Sequence, residues 1–358
     1  MSHQKAETSI MKTKNLLFTS LLSVIISQVA MTPLPVFANT ITLPDGGKCE
    51  GTISAGNLNG EGKCTFSNGD RYEGNFVDGE KQGKGKYTFA DGGYYEGEFQ
   101  NSQFQGQGIR VFPQGDKYEG EFKQGKPEGK GVYTSADGSK YEGNFVNGLP
   151  QGEGKFIYSN GDSCAGIVTD GKISDQSICT YQNGDRYEGI LVDNQPQGEG
   201  IYTFADGGSY QGTFQGGRIT GKGMRKYASG DNYEGQIKDG IPHGKGIYKF
   251  SDGGVYEGDF ENGKQVGKGI YKFANGNRYD GEFVNGQFEG KGIFTFANAD
   301  VCQGTFKNNQ LNGNVICDYA NGDTYKGEFV NGKKNGRGVY NFADGTVIDG
   351  NWKDDQPI

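Results

Sequence analysis

Few residues in this chain could do chemistry, and their spacing narrows what that chemistry could be. Six cysteines fall into three pairs, Cys49/Cys64, Cys164/Cys179 and Cys302/Cys317, with the same short spacing inside each pair and long intervals between the pairs. A tetrahedral zinc site needs four ligands, and beside these pairs the chain offers only His3 and His243. The pattern predicts a disulfide within each pair, stabilising by roughly 3 kcal/mol for a loop of this length on the chain-entropy estimate. The segment Gly216-Gly217-Arg218-Ile219-Thr220-Gly221-Lys222-Gly223 has the glycine and lysine spacing of a phosphate-binding loop. However, Gly223 stands where that loop requires a metal-binding Ser or Thr, and no helical pattern follows, so the segment reads as a turn. The many acids recur at turn and polar positions, where turn formation and solubility account for them. No catalytic residue, cofactor or metal is predicted, and the chain reads as a non-enzyme.

The elements that position these residues follow from a strict period. Gly51, Gly74, Gly97 and their successors to Gly350 recur every 23 residues without an insertion, the signature of one supersecondary unit stacked on copies of itself. The cysteine pairs keep this phase, the second standing five periods after the first and the third six periods after the second. The 65 glycines and only 33 % apolar residues argue against ordinary globular cores, while 13 % aromatics supply rings to stand between glycines. In the unit anchored on Gly74, alternation puts Tyr72, Gly74 and Phe76 on one face and Glu73 and Asn75 on the other. Gly83, Gly85, Tyr87 and Phe89 share a face in the second strand. Each unit is predicted to be a hairpin with an aromatic-glycine face and a polar face.

A type II′ turn centred on Gly79-Glu80 is expected to pair Tyr72 with Tyr87, Gly74 with Gly85 and Phe76 with Gly83. A three-residue loop, Ala90-Asp91-Gly92, would then set Tyr87 opposite Tyr95 and Gly85 opposite Gly97. On the polar face this register opposes Glu121 to Lys130, Asp259 to Lys268, Glu282 to Lys291 and Glu328 to Arg337, and leaves no acid facing an acid. The cysteines occupy the two opposed tyrosine positions of their units. Where the second-strand glycines become Asp175 and Ser177, or Gly313 and Val315, the expectation is that the covalent link tolerates weaker packing. Trp352 takes the phenylalanine position of a last, unpaired strand.

The N-terminus is different. Lys12 and Lys14 precede an apolar run from Leu16 to Ala30, and Val36-Phe37-Ala38 supplies small-residue cleavage chemistry before Asn39. Residues 1–38 therefore read as a secretory leader, with Met11 an alternative start and an uncleaved anchor the other reading. The rest divides into a short linker, 39–47, an array of about 13 units plus a terminal strand, 48–352, and a tail, 353–358. Removing 1–38 takes Lys5, Lys12, Lys14 and Glu7 from the chain's 36 basic and 44 acidic residues, leaving 33 and 43, a net charge of −10 that disfavours nucleic acid. The expected location is exported, periplasmic or extracellular, and envelope-associated in one version.

The recurring Tyr-Glu-Gly-X-Phe, Asn/Asp-Gly, Gly-Lys-Gly and Tyr-X-Phe-Ala-Asp-Gly segments from Lys48 to Trp352 resemble MORN repeats, named for membrane occupation and recognition nexus. The resemblance implies an all-β, elongated, single-layer twisted antiparallel sheet of successive hairpins whose aromatic face lines a groove. It implies a scaffold, an adaptor or a membrane-associated spacer, with some members dimerising. A lipid-kinase label would come from repeats that precede a kinase domain in plant phosphatidylinositol phosphate kinases, and no such domain is expected in this sequence.

The leading expectation is an exported, non-enzymatic scaffold that binds a protein or envelope partner through the groove or the array ends. Its groove residues are Tyr72, Phe76, Tyr87, Tyr95, Tyr118, Tyr141, Tyr233, Tyr256, Tyr279, Tyr325 and Trp352. The competing reading is that these rings only pack on each other across glycine gaps. A second function is recognition of anionic lipid headgroups through Lys264, Lys268, Lys272, Lys333, Lys334 and Arg337, which the net negative charge opposes. A third is glycan or cell-wall binding, and a homodimer is a further partner.

Overall fold

The computed structural model describes residues 39–358. The leader, its cleavage after Ala38 and the choice of start lie outside the described residues. Residues 39–358 form one unit, an antiparallel sheet of 29 strands in which each strand pairs with its neighbours in the chain. Seven-residue strands such as Arg71–Val77 alternate with nine-residue strands such as Glu80–Thr88. The stretch read as a linker supplies a strand, Asn39–Thr42, paired with Lys48–Ser54. At the other end the strand carrying Trp352 is not left unpaired, because Gln356–Pro357 of the tail lies against it.

Local turn chemistry sets the hairpin. The two-residue turn is Asp78-Gly79, with φ of 49° and 84°, and Val77 pairs with Glu80. Positive φ at both central residues is the type I′ turn that Asn-Gly and Asp-Gly favour, so the turn lies one residue earlier than the expected Gly79-Glu80. Tyr72 does oppose Tyr87 and Gly74 opposes Gly85, but Phe76 pairs with Lys81 rather than Gly83. Between those pairs the ladder carries one residue, Asn75, on the first strand against three, Gln82, Gly83 and Lys84, on the second. This bulge turns Gly83 to the following hairpin, where it opposes Phe99. The inter-repeat loop is as the sequence predicts: Tyr87 opposes Tyr95, Gly85 opposes Gly97, and Gly92 has φ of 93° at the left-handed third place.

The bulge also reassigns the charges. Lys268 opposes Glu282 and Lys245 opposes Asp259 across repeat boundaries, the latter pair 3.2 Å apart. Lys130 faces Asn144, and Arg337 faces Asn351. Within its own hairpin Glu282 meets Glu289, so the expected absence of facing acids fails where the bulge intervenes.

Burial lies on the aromatic-glycine face. The Tyr72 ring stands edge-on to Phe76 of its own hairpin, with centroids 5.0 Å apart, and to Phe99 of the next, at 4.9 Å. The alternation continues through Tyr95 to Phe122, Tyr118 to Phe145 and Tyr256 to Phe283. Such pairs add about 0.5–1.5 kcal/mol each beyond the area they bury. The glycines make room for the rings: a Cβ on Gly74 would lie 2.6 Å from Gly85 Cα, and one on Gly85 would lie 2.7 Å from Tyr72 ring carbons.

Candidate functional site

The rings proposed as a groove are the core. Tyr95, Tyr256, Tyr279 and Tyr325 are 0 % exposed, Tyr72, Tyr118 and Tyr233 1 %, and Tyr141 3 %. Phe76 and Trp352 are buried with them, and Tyr87 is half-buried. Each first-strand tyrosine also uses its hydroxyl internally. Tyr72 donates to the Asn75 carbonyl at 3.1 Å, Tyr95 to that of Glu98 at 2.8 Å, and Tyr256 to that of Asp259 at 3.0 Å. These carbonyls lie beside the bulge, on the residue after the first-strand glycine, and a buried acceptor left unmade would cost about 1–3 kcal/mol. Rings so occupied have little area to give a partner. Trp352 likewise donates its indole N–H to the Gly338 carbonyl at 3.1 Å.

A second set of side chains joins successive loops. Asp70 accepts from the Tyr87 hydroxyl at 2.6 Å and from the Ala90 amide at 2.8 Å. The arrangement recurs at Asp116/Tyr133, Asp185/Tyr202, Asp231/Tyr248 and Asp323/Tyr340. The Tyr340 hydroxyl and the Ala343 amide hold the Asp323 carboxyl below the usual range, and Tyr133 and Ala136 do the same for Asp116. Burial pushes Tyr72, Tyr118 and Tyr233 up to about 12. Reading each acid as a turn residue missed this loop staple. A partial signal lies in the columns of the repeat, because in five units an Asp in the loop column accompanies a Tyr in the second-strand column, whereas Gly93 and Gly208 accompany Arg110 and Arg225, Gly254 accompanies Tyr271, and Asp162 and Asp300 accompany Cys179 and Cys317.

The structure joins Cys49 to Cys64, Cys164 to Cys179 and Cys302 to Cys317, each pair directly opposed within one hairpin. Packing there is filled rather than weakened. Leu58, Ile173 and Leu311 are buried beside Gly51, Gly166 and Gly304, and Val315 and Ser177 occupy the space above the first-strand glycine that a tyrosine ring covers elsewhere.

On the opposite, polar face the backbone of the glycine rows lies between columns of charged and aliphatic side chains. Two clefts of ≈ 950 and ≈ 1100 Å³ lie along it, between Glu199 and Val339, and share Lys268 and Asp280 as lining residues. This places the clefts on the opposite side from the aromatic groove that the resemblance implied. Their walls combine charged residues with aliphatic ones, and Ile201, Met224, Ile293 and Ile316 on this face are 38–47 % exposed. In register the aliphatics alternate with polar residues: Ile247 opposes Glu257, Glu257 opposes Ile270, and Ile270 opposes Asp280.

The basic residues proposed for lipid do not converge. Lys268 and Arg337 line the clefts, Lys333 pairs with Asp354 at 3.8 Å, and Arg337 with Asp349 at 2.7 Å. The Lys334 ammonium sits instead among rings of the aromatic face. Gly216-Gly217 forms an ordinary hairpin turn leading into strand Arg218–Lys226. Among the described residues no group of three or more His, Cys, Asp or Glu could hold a metal, and no helix is long and apolar enough to cross a membrane.

The MORN repeat profile matches twelve 23-residue segments, 49–71, 72–94, 95–117, 118–140, 141–163, 187–209, 210–232, 233–255, 256–278, 279–301, 302–324 and 325–347, well over half of the chain. The one interval it skips between matches, 164–186, holds the second cysteine pair and Asp175 and Ser177. No curated protein matches the chain. Among solved structures, the G-box domain of the microcephaly protein CPAP is similar at 12 % identity and a TM-score of 0.30, covering 62 % of this chain and 98 % of that one. The SAS-4 TCP domain of Drosophila melanogaster, solved with a proline-rich motif of Ana2, has 18 % identity and a TM-score of 0.21, covering 53 % and 99 %. A catalytically inactive virginiamycin B lyase from Staphylococcus aureus has 12 % identity and a TM-score of 0.13, covering 84 % and 98 %. At these scores the likenesses say nothing about what the chain binds.

Proposed function

The chain belongs to the MORN repeat family, and from that premise we propose that it is an exported, non-enzymatic scaffold holding an extended protein segment along the cleft-lined polar face. The observation that carries this reading is the row of half-exposed aliphatics, Ile201, Met224, Ile293 and Ile316, alternating with polar residues on the face that carries the clefts. Exposed apolar positions in a polar frame mark contact surfaces. At about 4.8 Å per strand the aliphatics repeat every ~9.6 Å. That is close to one turn of polyproline II helix, three residues at about 3.1 Å each, so a segment in that conformation with an apolar side chain at every third position keeps step with the array. Export is supported by the leader-like residues 12–38 and by three disulfides, which persist in oxidising compartments.

The test is photo-crosslinking from Met224 and Ile293 in the full mature chain against its native envelope fraction, alongside cosedimentation with neutral and anionic liposomes at low and physiological salt. Crosslinks to one protein from both positions, lost on Met224→Asp and Ile316→Asp, support the scaffold. Salt-sensitive sedimentation with anionic liposomes alone, or crosslinks only to a second copy, would replace it with lipid recognition or with a homodimer.

A further inference from the structure

The aromatic face contains two aromatic cages already filled by the protein's own ammonium groups. Lys334 Nζ lies 4.7–5.3 Å from the ring centres of Tyr319, Tyr325, Tyr340 and Trp352. Lys81 Nζ lies 5.1–5.7 Å from Phe66, Tyr72 and Tyr87. Both cages include a carboxylate, Asp323 or Asp70, which accepts from a cage tyrosine. Ring faces attract cations, and the repeat has built this attraction into the same column twice.

Gln265 occupies that column three repeats before Lys334 and eight repeats after Lys81. The corresponding rings are Phe250, Tyr256, Tyr271 and Phe283. Here the column supplies no ammonium, and a cleft of ≈ 500 Å³ lies open. Phe250, Tyr271 and Phe283 line it together with Phe273, Phe288 and Phe294, and Gln265 and Asn309 complete the lining, with Asn309 Oδ1 accepting from the Phe288 amide at 2.7 Å. The repeat departs from its neighbours in a second way. Gly254 stands in the column of Asp70 and Asp323, with the Tyr271 ring over it, so this hydroxyl lacks the carboxylate partner that five other tyrosines have. Asp252 is close enough to act on Tyr271 electrostatically.

We propose that the cleft between Gln265 and Phe288 binds an organic ammonium ion from outside the chain, in the position that Lys81 and Lys334 fill in their own repeats. The rings supply the attraction, since the loop column holds Gly254 here in place of a carboxylate. The site is on the opposite face from the clefts assigned to a protein segment, so either reading can fail without the other.

The experiment titrates the full mature chain with choline, with n-butylammonium and with 3,3-dimethylbutanol, the neutral carbon analogue of choline, following the Gln265 and Asn309 side-chain amides by NMR. Saturable shifts with either cation, and a neutral analogue about ten-fold weaker, support the site, on the scale of a desolvated cation–π contact. Preference for choline points to a trimethylammonium headgroup, and preference for n-butylammonium to a lysine side chain. Gln265→Lys supplies an internal ammonium and is expected to abolish binding while the array stays folded. Phe288→Leu imports the residue that Leu58 and Leu311 place in that column, and is expected to bring the cation-to-neutral ratio close to one. Equal affinity for the neutral analogue, unchanged binding in Gln265→Lys, or no saturation with either cation would overturn the proposal.

Discussion

The tyrosine repeats and the cysteine repeats close the same hairpin by different physics. In the repeat of Tyr256, a ring lies over two glycines and its hydroxyl donates to the Asp259 carbonyl beside the bulge. In the repeat of Cys302, a covalent bond replaces the opposed tyrosines, Leu311 and Val315 fill the ring's volume, and no phenol reaches the bulge. The glycines are thus complements of the rings rather than requirements of the strand. Where the ring goes, a side chain can return, as Val315 and Ser177 do, although the Cys49 repeat keeps Gly62. A repeat can be held by burial and hydrogen bonding or by a cross-link, and each leaves a different weakness.

The widest test of that difference is alkali. Tyr72, Tyr118 and Tyr233 titrate at about 12 in the fold, against about 10 in an unfolded chain. A raised folded value means that their stabilisation is complete below the unfolded value and lost as pH rises through the folded one. The repeats of Tyr72, Tyr118 and Tyr233 should therefore lose hydrogen-exchange protection between about pH 10 and about pH 12, before the segments around Cys164 and Cys302. Phenolate absorbance rising near the ordinary value with protection intact would contradict the internal role of the hydroxyls.

Within one repeat, Tyr256→Ala should cost about 3–5 kcal/mol, as for other buried rings. Its measure is exchange protection of strands Val255–Glu261 and Lys264–Lys272, since an array opens locally rather than all at once. Replacing Cys164 and Cys179 together by serine should cost about 3 kcal/mol. Limited proteolysis should then cut first within 164–186, and an unchanged cleavage pattern would show that Ile173 and Ser177 suffice. Asp323→Asn should have the smallest effect, loosening the loop at Ala343. The carboxyl is held below its usual range, so its contribution is complete above about pH 4 and lost as pH falls through the depressed value. In the wild type, the Ala343 amide should lose protection on acidification, and in the variant that pH dependence should vanish.

Much of this architecture is legible along the chain. The period, the opposed tyrosines and glycines, the three-residue loop and the cysteine partners all follow from alternation and from residues that recur in step. The loop staples were partly legible too, had the Asp and Tyr columns been compared across repeats. The bulge was not, because the choice between Asp78-Gly79 and Gly79-Glu80 as the turn moves the pairing of Phe76 without disturbing that of Tyr72.

The sequence by itself determined that this protein is a stack of identical hairpins, since turn chemistry and period-2 alternation act over a few residues and repeat without interruption. Only the tertiary structure decided which charges meet across repeats, that the tyrosine rings are core rather than contact, and which face carries the clefts. Those outcomes depend on where three residues face one in the bulge, and on whether a ring has a glycine beneath it and a backbone carbonyl within reach of its hydroxyl.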